Sequence, residues 1–286
     1  MGPFITSSLL AALSAASLVQ AAPALERRAT RNNLARDHAT LTAFAKTITV
    51  DPQNIRKNWT AAGDDVCKFA GVTCGEHPDG YLAVAGIDFN EYGFGKDVKL
   101  DGLLDKLVDL TFFHANTNGF DGTLPDVSKL KYLYELDVSS NQLEGEFPVH
   151  ILDGPVSFLD LRFNGFSGPL PEALFTKTDM QAIFLNNNNF SGPIPPTGKI
   201  NTPYITLANN KFTGEIPASL ANNKGLKQIL LLGNELTGNV PEKLCALDLE
   251  VLDVSNNTAL TGKLGPKCKS LFDKKVLVIN GTALTA

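Results

Sequence analysis

The chain has 286 residues, 43% hydrophobic and 19% charged, with a formal net charge of −5 and four cysteines. The length leaves room for one extended folded unit. The negative balance argues against nucleic acid and against adsorption to anionic membranes, and it is compatible with a basic partner.

In chain order, residues 1–21 read as a secretory signal peptide. Phe4 to Val19 is an apolar Ala/Leu/Ser-rich core, and Val19-Gln20-Ala21 offers a small-x-small cleavage site. The core is too short to span a bilayer. Glu26-Arg27-Arg28 resembles a dibasic processing site, closing a short propeptide over residues 22–28. No later apolar run approaches about 20 residues, so no membrane anchor is expected.

Residues 29–80 read as an N-terminal cap. Leu34, Ala35, His38, Leu41 and Ala45 carry helical spacing between Arg31 and Ile48, and Asp51-Pro52 breaks it. Trp59 and a first cysteine pair, Cys67 and Cys74, follow.

From residue 81 to 286 the chain is repetitive. Asn118, Asn141, Asn164, Asn188, Asn210, Asn234 and Asn257 recur at spacings of 23, 23, 24, 22, 24 and 23 residues. Apolar residues stand eight, five and three positions before each Asn, and a Gly and often an apolar-Pro pair follow it. This period belongs to leucine-rich repeats. The expected fold is an α/β solenoid, a right-handed superhelix of eight or nine coils with short parallel strands on its concave face. In the coil from Leu133 to Pro148, Leu133, Leu136 and Val138 should point inward, while Glu135, Asp137 and Ser139 alternate outward. Asn141 should bond the backbone of the turn, so the Asn column is structural despite its prominence. The first coil, Val84 to Asn90, has Tyr92 in place of the Asn and an insertion through Lys96–Leu100. The last is truncated, with Val276 and Val278 as its strand.

Counting from the Asn column places the remaining cysteines. Cys245 and Cys268 each lie eleven residues after a repeat Asn, so they stack in consecutive coils about 5 Å apart, within disulfide reach. The expected pairs are Cys67–Cys74 and Cys245–Cys268. A metal site would need ligands from opposite ends of a rigid rod, so neither metal nor cofactor is expected. Sequons at Asn58, Asn189, Asn256 and Asn280 mark candidate glycosylation sites.

The outward strand positions are where a ligand would bind. The middle column contains Asp88, His114, Asp137, Asp160 and Phe184. The column two residues earlier contains Phe112, Glu135, Phe158 and Tyr204, and Arg162 belongs to the column two residues later. Carboxylates interleaved with aromatics suit a cationic, partly apolar peptide. A plainer reading stays open, in which the aromatics merely cover the sheet and Arg162 neutralises its acidic neighbours. Catalysis is not expected. Asp137 and Asp160 sit near the spacing of a retaining glycosidase pair, but a parallel sheet imposes that spacing on any two same-column residues. His114, Asp137 and Ser139 are triad residue types without a strained nucleophile turn.

The run Asp51-Pro52, Trp59, Cys67 and Gly71-Val72-Thr73-Cys74 resembles the cap of plant-type extracellular leucine-rich-repeat proteins. Phrases such as Phe113-His114-Ala115-Asn116-Thr117-Asn118 and Phe158-Leu159-Asp160-Leu161-Arg162-Phe163-Asn164 resemble the repeat domain of the leucine-rich-repeat extensins, over roughly residues 34–270. The Ser/Pro-rich extensin tail has no counterpart in these residues. The resemblance implies a non-enzymatic, extracellular or cell-wall protein that binds basic, cysteine-rich signalling peptides. A polysaccharide-binding wall protein, or an inhibitor of a wall-degrading hydrolase, is the alternative.

Overall fold

The computed structural model describes residues 26–77 and 80–286, with side chains from residue 33 onward. The signal-peptide reading and most of the propeptide reading lie outside the described residues. Among the described residues, no helix is long and apolar enough to cross a membrane.

The repeat phrase folds as its spacing dictates. A single ten-stranded sheet runs along the solenoid: β1 (Val72–Glu76), β2 (Leu82–Asp88), β3 (Phe112–His114), β4 (Glu135–Asp137), β5 (Phe158–Asp160), β6 (Ala182–Phe184), β7 (Tyr204–Thr206), β8 (Gln228–Leu230), β9 (Val251–Asp253) and β10 (Leu277–Val278). From β2 onward every pairing is parallel. The central residue of each short strand, such as Leu136, Leu159 and Ile183, is fully buried. The last strand lies one residue later than the expected Val276: Leu277 takes the inward position, and the Val276 N–H bonds the Leu271 carbonyl instead.

The return path holds less helix than a β-α superhelix implies. Three short 3₁₀ turns, Val149–Asp153, Glu172–Phe175 and Ala218–Asn222, do much of the work that a crossover helix does elsewhere. Each follows directly on a Pro, whose fixed φ starts the turn. A second parallel sheet of six strands, from Asp121–Gly122 to Glu235–Thr237, runs just after the Asn column. Its inward positions form a spine of Phe120, Leu143, Phe166, Phe190, Phe212 and Leu236, all fully buried. Phe190 stacks nearly parallel between Phe166 (6.2 Å) and Phe212 (6.4 Å). Each ring fills one coil and touches the next, so the core is continuous along the axis.

The cap is more elaborate than one helix and a break. Helix α1 (Glu26–Ala45) begins five residues before the expected start and stops three before Ile48. There the Thr47 hydroxyl and N–H both engage the Phe44 carbonyl, at 2.8 and 2.9 Å, a local bond that competes with helix continuation. A second helix, α2 (Ile55–Ala62), is started by Asp51, whose carboxylate accepts the N–H groups of Ile55 (2.8 Å) and Arg56 (3.1 Å). On α2, Trp59 stacks on Phe69 at 4.9 Å and donates to the Ala70 carbonyl. Strand β1 then pairs antiparallel with β2, covering the N-terminal edge of the sheet. Asp37 on α1 is fully buried, held by Arg36 and the Val84 N–H. Arg36 also reaches Asp109 at 2.6 Å, tying the cap to the first coils.

Both disulfides form as expected. Cys67–Cys74 spans 5.4 Å between Cα atoms and Cys245–Cys268 spans 5.0 Å. Glu242 accepts the N–H groups of Lys267 and Cys268, so one coil caps the final helix (Pro266–Asp273) of the next.

Candidate ligand-binding face

Parallel in-register pairing turns the outward strand positions into straight columns. Phe112, Glu135, Phe158, Ala182, Tyr204 and Gln228 align in one; His114, Asp137, Asp160, Phe184, Thr206 and Leu230 align in the next, with Asp88 beside His114. Arg162 lies two residues beyond Asp160. All ten candidate residues therefore share one face of one sheet.

Their availability is unequal. Asp88 and Tyr204 are exposed, and most of the others are half-buried. Asp160 is 1% exposed. Its carboxylate accepts two bonds from Arg162 Nε (2.9 Å each) and one from Nη2, while the Arg162 guanidinium lies 4.9 Å from the Phe184 ring centre. Burial pushes the Asp160 carboxyl up to about 6; the Arg162 hydrogen bonds oppose this, and the Asp137 charge reinforces it. The expectation of an open Asp160 carboxylate is thus corrected. What the face offers at this coil is Arg162 and two rings, with Phe158 meeting Phe184 edge-on at 5.5 Å.

The acids of the middle column share a backbone duty that counting residues did not reveal. Asp88, Asp137, Asp160 and Asp253 each accept the N–H two residues on, at 2.9 to 3.2 Å. This bond holds the chain as it leaves the strand and occupies one carboxylate oxygen. Its signal in the sequence is a recurrent Asp-x-polar step at the end of the strand phrase.

Next to this, His114 Nε2 lies 3.0 Å from Glu135 Oε2, and the Phe112 ring lies 5.0 Å from the imidazole. Burial, the largest influence on His114, lowers its pKa. The hydrogen bond and charge of Glu135, with the charges of Asp137 and Asp88, outweigh that and raise it. The Phe112 ring also leans across the preceding coil, where a Cβ on Gly86 would overlap it. Asn116 donates to Asp137 at 3.4 Å and was not among the expected site residues. The face thus has two zones: an acidic one built from Asp88, Glu135 and Asp137 around His114, and an aromatic one built from Phe158, Phe184 and Tyr204 with Arg162 among them.

The sequons at Asn58, Asn189, Asn256 and Asn280 all fall on exposed asparagines. Asn58 also accepts the Ala70 N–H through its side-chain oxygen.

Comparison with known proteins agrees with this architecture. Residues 34–75 match the leucine rich repeat N-terminal domain. Leucine-rich repeat extensin-like protein 4 of Arabidopsis thaliana is 41% identical over 194 residues, 66% of this chain and 38% of that protein. The chain carries an extensin-like leucine-rich-repeat domain. This extensin-like domain spans well under half the length of the curated relatives it matches. It also superposes on the PEPR1–AtPEP1 complex with a TM-score of 0.71 and 28% identity, covering 87% of this chain and 34% of that one. A plant peptide hormone receptor, RGFR1 in complex with RGF2, matches with a TM-score of 0.59 and 26% identity, covering 64% of this chain and 30% of that one.

Proposed function

We propose that the chain is a secreted binding protein whose concave face takes a basic, partly apolar peptide or small protein, with no enzymatic step. The observation that carries the reading is the juxtaposition, on one face, of a zone of three available carboxylates and a zone of three aromatic rings. A ligand that presents Lys or Arg side chains near an apolar segment could satisfy both zones at once. Nine of the ten residues from Asp88 to Tyr204, all but the buried Asp160, are the proposed contact set, with Arg162 standing where Asp160 was expected to act. The peptide-bound receptors that share the fold support a peptide partner. Two disulfides, with no free cysteine among the described residues, favour an oxidising extracellular compartment. A basic cysteine-rich signalling peptide fits these requirements. Glycan binding has less support, because Phe158 and Phe184 meet at 87° and Arg162 covers the latter, so they offer a sugar no pair of flat parallel faces.

The test is isothermal titration of the mature protein with an oxidised, synthetic, basic cysteine-rich peptide of the rapid-alkalinisation type, beside the same peptide with Lys and Arg replaced by Gln. The parent should bind the first and not the second, and affinity should fall steeply between low and high salt. Asp88→Asn with Asp137→Asn should weaken binding about tenfold. Unchanged affinity in that double variant would sink the proposal.

A further inference from the structure

The residue immediately before each repeat Asn must turn the chain with a positive φ. Thr117, Ser140, Asn187, Asn209 and Asn256 do so at 52° to 60°, and Gly233 at 67°. Gly233 and the asparagines tolerate the left-handed region, whereas Ser140 suits it less and the β-branched Thr117 is disfavoured there. Phe163 occupies the same position at φ 54°. It gains little from burial in return, being 52% exposed. A bulky aromatic held in a disfavoured conformation, with half of its surface still in water, is poorly placed to serve the fold alone.

Its surroundings indicate what it is for. Phe163 follows Arg162 directly in the chain, and Arg162 is fixed by Asp160 below it and by the Phe184 ring beside it. The Phe163 N–H is anchored on the Asn186 carbonyl of the next coil (3.1 Å), and the following Asn164 N–H on that of Asn187 (3.2 Å). The backbone that presents the ring is therefore rigid, and Phe163 sits in the turn that leads from the concave-face strand Phe158–Asp160 to the second-sheet strand Gly165–Gly168.

We infer that Phe163 is a further contact and specificity-determining residue, receiving an apolar residue of the ligand where the bound peptide leaves the concave face over this turn. The inference rests on the ligand-binding reading above. Left-handed strain at a recognition position is a known way in which stability is given up for function.

The experiment compares Phe163→Asn and Phe184→Ala with the parent, measuring thermal unfolding and binding of the same basic cysteine-rich peptide. Phe163→Asn should raise Tm by about 3 °C, because Asn tolerates the backbone conformation. It should also weaken peptide binding about tenfold. A lower Tm would show that the ring is part of the fold and overturn the inference. A higher Tm with unchanged affinity, while Phe184→Ala loses binding, would overturn it and leave the concave-face reading standing. If Phe184→Ala and Phe163→Asn both bound like the parent, or the parent did not bind at all, the reading and the inference would fall together.

Discussion

Asn210 illustrates what a repeat asparagine does. Its Nδ2 donates to the carbonyls of Leu185, Leu207 and Ala208 at 3.0 to 3.1 Å, and its Oδ1 accepts the Phe190 N–H at 3.0 Å. One 8%-exposed amide thus joins its own turn to the coil before it. Asn188, Asn234 and Asn257 repeat the pattern, each accepting an N–H of the preceding coil: Phe166, Phe212 and Leu236. At the last coil Thr282 takes the place of Asn: its hydroxyl donates to the Ile279 carbonyl at 2.7 Å and accepts the Leu284 N–H. Asn210→Ala strands a buried N–H and weakens the satisfaction of three carbonyls. Urea denaturation should show a loss of about 3 kcal/mol, against under about 1 kcal/mol for the exposed neighbour Lys211→Ala. The structural role of this column was legible from the sequence, because Asn is the side chain that can donate and accept within one turn. The second duty of Asp137 and Asp160 was not, because a carboxylate on a strand face reads equally well as a ligand contact.

Among the elements, the strands follow their apolar spacing closely, while the return segments do not. Val149–Asp153 and Ala218–Asn222 are too short and too proline-bounded to show helical periodicity, so their 3₁₀ form emerges only when neighbouring coils set the path length. Helix α2 is not legible in the sequence because its initiating carboxylate, Asp51, precedes a proline that reads as a break. The ends of the array depend on nearest neighbours alone. Removing Cys245–Cys268, which closes a separation of 23 residues, should therefore cost about 3 kcal/mol, felt mainly at that end. In the Cys245→Ser, Cys268→Ser variant, hydrogen exchange should speed up in β9, β10 and the helix Pro266–Asp273. The amides of β5 and β6 should keep their protection. Equal loss of protection along the whole array would contradict nearest-neighbour coupling.

For the molecule as a whole, the charge of the concave face depends on pH. Asp160 takes up a proton near 6, and His114, raised above its ordinary value despite its burial, holds a proton more readily than a free imidazole. Acidification from pH 7.5 to 5 removes one negative charge beneath Arg162, and the His114 imidazolium sets a positive charge beside Glu135. Both changes oppose a basic ligand. Peptide affinity should fall several-fold over that interval, and His114→Gln should reduce the dependence. Affinity that rises on acidification would contradict this electrostatic account. Linkage to folding has the same sign for both groups. Each folded pKa is raised, so their contribution to stability is full below the unfolded value and lost as pH rises through the folded one.

The sequence by itself determined which residues share the face. A 22- to 24-residue period with one strand per coil leaves a parallel in-register sheet as the way to bury the apolar positions, so counting back from each Asn assigns every column and pairs Cys245 with Cys268. Only the tertiary structure decided which carboxylates on that face remain available. That depends on where long side chains settle, and Arg162 settles on Asp160 because the Phe184 ring of the adjacent coil lies beneath its guanidinium. Such a choice is made between coils, where a column read from the sequence carries position but not orientation.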